Sequence, residues 1–188
     1  LMTLTASAQR LAGVLTERQI EVTSNFVGQS LTLFGNVEPA IGMSDRPVKG
    51  PFQVIVVVTG PVQNRVVREK TNRFLIWLNT NSETFTRVPS YKWVFSSAPL
   101  TAITGPDTLA QNNISLASNG DGSGEQAAGA QQEFTTELVR LMTGKGLYGI
   151  NEAGVQFRSP TLYSVRIDVP GDVANGTFLA ETSLFREG

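Results

Sequence analysis

The chain has 188 residues, 40% of them hydrophobic, and a formal net charge of −1, so it can bury a core but offers no electrostatic case for nucleic acid as a partner. It contains no cysteine and no histidine. That excludes a disulfide framework, a Ser-His-Asp triad, a Cys nucleophile, a typical zinc site and an iron–sulfur cluster, and leaves carboxylate, lysine or tyrosine chemistry open.

In chain order, Leu1, Met2 and Leu4 followed by Ala6-Ser7-Ala8 read as the end of a secretory signal, with residues 1–8 residual and Gln9 as the mature start. From Gln19 the pattern has period two: Ile20, Val22 and Phe26 face one way, Glu21, Thr23 and Asn25 the other. After Gly28, a second strand carries Leu31, Leu33 and Phe34. Phe52 to Thr59 is apolar on both faces, as in a central strand covered above and below, and Gly60-Pro61 stops it. Its core, Val54 to Val58, is the longest purely aliphatic run, far short of the roughly 20 residues of a membrane-spanning helix.

Arg65 to Lys70 reads as an edge strand and Phe74 to Leu78 as a buried run. Tyr91, Trp93 and Phe95 then alternate with Lys92, Val94 and Ser96. Residues 101–131, rich in Gly, Ser, Asn, Gln and Ala, read as a loop. Phe134, Leu138, Leu141 and Met142 share one face of a helix over roughly 131–143, ended by Gly144. Tyr163, Val165, Ile167 and Val169 face inward on a later strand. A PGDVANG connection leads to a closing strand through Phe178, Ala180 and Leu184. The expected fold is mainly β: a single antiparallel immunoglobulin-like β-sandwich over residues 9–188, with a loop-plus-helix insertion at 101–150.

Asn119, Asp121, Ser123 and Gly124 match the first positions of a calcium loop. The bidentate Glu at its twelfth position is replaced by Ala130, so a linker is expected and no metal or cofactor. Asn113-Ile114-Ser115 and Asn175-Gly176-Thr177 match the glycosylation sequon and are read as turn chemistry. Asp45, Glu69, Asp107 and Glu152 form no pair by spacing. The densest polar and aromatic cluster is Arg65, Arg68, Lys70, Trp77, Asn79 and Tyr91. The segment reads first as an edge strand guarded by charges with Trp77 and Trp93 in the core; as a binding surface it combines the residue types enriched at interface hot spots, with Arg68, Lys70 and Tyr91 favoured because Trp77 sits in a run apolar enough for core.

FVGQSLTLFG (26–35), VIVVVTGP (54–61), VVREKTNRFLIWLNTNSETFTRVPSYKWVFSSAPL (66–100), EFTTELVRLMTGKGLY (133–148) and LYSVRIDVPGDVANGTFLAETSLFREG (162–188) resemble the alphaproteobacterial putative transmembrane protein family, whose function is unknown. The resemblance implies a signal peptide, a periplasmic domain and a membrane-spanning helix after residue 188, anchoring the full-length protein in the inner membrane. It carries no catalytic residues. The expected function is a non-enzymatic module that binds another envelope or inner-membrane protein. The alternative is a small-ligand or glycan-binding domain using Trp77 or Tyr91 as a stacking platform.

Overall fold

The structure is a computed structural model and describes residues 10–15, 28–38, 50–73, 76–116, 121–122 and 128–186. The elements are β1 (Arg10–Leu15), β2 (Gly28–Glu38), β3 (Phe52–Thr59), β4 (Val62–Arg73), β5 (Ile76–Pro89), β6 (Lys92–Ser96), α1 (Leu100–Ile103), α2 (Pro106–Gln111), β7 (Asp121–Gly122), α3 (Ala128–Gly144), β8 (Tyr148–Asn151), β9 (Val155–Phe157), β10 (Leu162–Pro170) and β11 (Leu179–Arg186). One sheet has the order β1-β2-β10-β9, a second β11-β3-β6-β8, and a third β4-β5-β7. The proposed signal residues 1–8 and the strand expected at Ile20 to Phe26 lie outside the described residues.

The first two sheets share one core. Leu31 and Leu33 of β2 and Tyr163, Val165, Ile167 and Val169 of β10 meet Val54, Val56 and Val58 of β3 and Tyr91 and Phe95 beside and on β6. β10 alternates as expected, its four inward side chains all buried while Arg166 and Asp168 face out. β3 is apolar throughout because its other face is also covered: Ile55 and Val57 join Val94, Leu100 and Ile114 in a second cluster under α1 and α2. Each fully buried aliphatic side chain contributes about 1.5–3 kcal/mol, so both covers are worth building.

The stretch read as a loop therefore holds two short helices, and it connects β6 to its parallel neighbour β8. Parallel strands cannot be joined by a tight turn and need a crossover of a dozen or more residues. The other paired strands are antiparallel. Four strands, not two, follow α3.

α3 starts three residues before its expected boundary and buries Leu138 and Met142, with Phe134 packed beside them, while Leu141 is 43% exposed and not part of the inward face. The helix runs through Gly144. The residue that ends it is Gly146, at φ +71°, which a glycine adopts without steric cost. Gly146 N–H donates to Thr143 O (2.9 Å) and Leu147 N–H to Met142 O (3.0 Å), satisfying carbonyls that the helix end leaves free. Leu147 and Met142 are both buried, the apolar contact that accompanies this cap. Leu147 O then accepts from Lys92 N–H (3.0 Å), which sets β8 beside β6.

Candidate interaction surface

β4 and β5 form a hairpin paired from Val62↔Pro89 to Arg73↔Ile76, with register irregularities at Gln63/Arg65 and Glu69/Lys70. Twelve extended residues reach about 40 Å. Val67, Phe85 and Val88 sink into the main core and anchor the base, and Asp121–Gly122 pairs with Thr86 and Phe85 of β5. On the opposite face of β4, Val62 and Val66 are 54% and 52% exposed, and Arg68 is exposed beyond them. Val66 stands across from Thr84 and Arg68 across from Ser82, both exposed. The result is a face of two valines with Asn64 between them, ending in a cation and two hydroxyls, on a strand that ends its sheet among the described residues.

Of the sequence-derived site residues, Arg68 lies on this face. Arg65 does not: it points to the other side of β4, half-buried, its Nε enclosed without a hydrogen-bond partner, and its charge acts on the Tyr148 hydroxyl. Lys70 and Asn79 occupy paired positions on β4 and β5, and Trp77 pairs with Asn72, but their side chains lie outside what is described. Tyr91 corrects the expectation. It is 0% exposed, its ring packs edge-on against Phe178 at 5.7 Å, and its hydroxyl donates to Asp168 O (3.0 Å). Burial, with Asp168 as a lesser cause, pushes its ionisation well above the ordinary tyrosine range. It is a core residue and offers neither docking side chain nor stacking platform. The period-two pattern could have placed it inward with Phe95; the aromatic type alone suggested a hot spot.

Lys92 was missed. Alternation sets it on the face opposite Tyr91, and that face is roofed by the α1–α2 segment, so Lys92, Val94 and Ser96 are all buried. Lys92 Nζ donates to Ser115 O (2.7 Å). Burial pulls its pKa down to about 8, partly opposed by the charge of Glu181. Glu152 is also structural, its carboxylate accepting from Leu100 N–H at the start of α1 (2.9 Å).

A shallow cleft of about 420 Å³ lies where Trp93 meets Gln29, Ser30 and Asp168. Ser30 hydroxyl donates to Asp168, and Arg166 reaches both, with Nε 3.2 Å from Asp168 Oδ1 and Nη2 3.1 Å from Ser30 Oγ. The Ser30 hydrogen bond and then Arg166 hold the Asp168 carboxyl below its usual range. Trp93 Nε1 donates to Gly146 O (3.1 Å) and its ring stacks on Phe95.

Among the described residues, no helix is long and apolar enough to cross a membrane. Residues 10–188 match the family model described as "Putative transmembrane protein (Alph_Pro_TM)", and the chain belongs to that family. No curated protein and no solved structure matches it.

Proposed function

We propose that this member of the Alph_Pro_TM family is a non-enzymatic, extracytoplasmic module of a membrane-anchored protein, and that it binds another envelope protein through the β4–β5 hairpin. The supporting observation is the outer face of β4, where Val62, Val66 and Arg68 stand exposed on a strand that Val67 anchors in the core from its other face. Exposed apolar side chains gathered on one element, beside an arginine, have the composition of an interface centre. The test places a photo-crosslinking residue at Val66 of the full-length protein in cells, with Glu181 as a control position away from the hairpin. A discrete adduct from Val66, lost on Arg68→Ala and absent from the control, supports the assignment; equal adducts from both positions, or none, refute it.

A second reading is favoured by the cleft at Trp93. An indole beside a carboxylate, a hydroxyl and a carboxamide can take a neutral sugar, the ring against its C–H face and the polar groups on its hydroxyls. A melting shift with oligosaccharides that disappears in Trp93→Leu supports it, and no shift across a sugar panel removes it.

A further inference from the structure

Between the α1–α2 cover and α3 lies an open, apolar groove of about 600 Å³, with Pro106, Ala110, Ser115, Thr136 and Ile150 exposed along it. Its walls are Leu100 of α1, Leu109 of α2, Ile114 and Leu116 of the turn that follows, Val139 of α3 and Ile150 of β8. Ligand pockets run from about 300 to 1,000 Å³, so its size is that of a ligand site. Among the described residues no charged side chain lines it, and its two polar residues are already engaged. Ser115 carbonyl accepts from the Lys92 ammonium, and Thr136 hydroxyl donates to Gln132 O (2.9 Å).

We propose that this groove holds the acyl chain of a membrane lipid. A peptide would bring backbone N–H and C=O groups, and a sugar its hydroxyls, into walls with no partner to return. A hydrocarbon chain has no hydrogen-bonding group along its length and gains from leaving water. Ile150, 46% exposed, marks the mouth, where a headgroup stays solvated. The family's membrane description puts acyl chains within reach of the full-length protein. The groove shares no lining residue with the hairpin, so either site can fail without the other.

The test uses this chain after delipidation, with dansylaminoundecanoic acid as a fluorescent probe. The probe is expected to bind saturably at one site, and palmitate, but not hexanoate, displaces it. Filling the groove with Val139→Trp weakens the probe at least tenfold with an unchanged or raised melting temperature; Ala110→Phe, on the α2 wall, gives a second reading if the first variant folds poorly. Displacement by palmitate alone identifies a free fatty acid as the source. Displacement by a lysophospholipid alone identifies a phospholipid, and both outcomes support the site. No saturable binding, full affinity in both filled variants, or displacement by an apolar helical peptide but by neither lipid overturns it.

Discussion

Lys92 gives the protein an unusual dependence of stability on pH. Its side chain is 0% exposed, so the fold holds a buried ammonium whose pKa has fallen to about 8, while the unfolded chain keeps that proton to about pH 10.4. Between those values the unfolded state binds one proton more than the native state. Stability must therefore rise with pH, by about 1.4 kcal/mol per unit and at most about 3 kcal/mol in all. With no His and no Cys in the chain, tyrosine, near pH 10, is the other side-chain type that ordinarily titrates in that window. Between about pH 9 and 10 the sign reverses, because burial keeps Tyr91, Tyr148 and Tyr163 neutral in the fold while their unfolded counterparts begin to ionise, and three tyrosines outweigh one lysine. Urea unfolding followed by tryptophan fluorescence at half-unit steps from pH 7 to 11 should give a maximum between pH 9 and 10. In Lys92→Met the rise between pH 8 and 9 should vanish while the fall at higher pH remains. At pH 7 the variant should lie close to wild type, since losing the buried charge offsets about 1–3 kcal/mol for leaving Ser115 O without its donor. A flat wild-type profile from pH 8 to 9, or the same slope in Lys92→Met, would refute the reasoning.

Three further outcomes are checked by similar means. A Cβ on Gly35 of β2 runs into the Tyr163 ring, its partner across the strands, so Gly35→Ala should cost about 1–3 kcal/mol in urea unfolding. Tyr91→Phe, which removes the bond to Asp168 O, should cost about 1 kcal/mol and Tyr91→Ala about 3–5 kcal/mol. Arg68→Ala should stay within about 0.5 kcal/mol of wild type while weakening partner capture by about 1 kcal/mol or more; a large stability loss would make it structural.

Strands with strong alternation were legible because a period of two reports which face is buried. β10 shows it, with Tyr163, Val165, Ile167 and Val169 inward. β3 was legible for the opposite reason, its unbroken apolar run requiring two covers. What covered it was not, because a cover needs only a few apolar residues, and Leu100, Leu109, Ile114 and Leu116 are scattered through a polar stretch. Without that roof in view, nothing marked Lys92 as buried. The β4–β5 pairing was hidden because its strands carry mixed residues and the apolar run Phe74 to Leu78 suggested core. Arg73 pairs with Ile76, and the side chains of residues 74–78 lie outside the described residues. Helix α3 was found from its Leu138 and Met142 spacing, but Leu141 shows how a four-residue apolar set overstates the width of the buried face.

The crossover from β6 to β8 ties these features together. A parallel pair demands a long connection; the connection roofs the outer face of the second sheet; the roof buries Lys92 and leaves the apolar groove against α3. Ser115 is common to both, its carbonyl bound to the Lys92 ammonium while the residue lines the groove. An acyl chain present at 100 times its Kd should stabilise the native state by about 2.7 kcal/mol. That gain should be lost in Val139→Trp, which occupies the space, and kept in Lys92→Met, because the chain contacts apolar walls and the lysine only braces the backbone behind them. Urea unfolding with and without palmitate at pH 7 separates the two. If Lys92→Met also abolishes the gain, the ammonium contributes to the ligand itself, and the bound group must carry a negative charge close to Ser115.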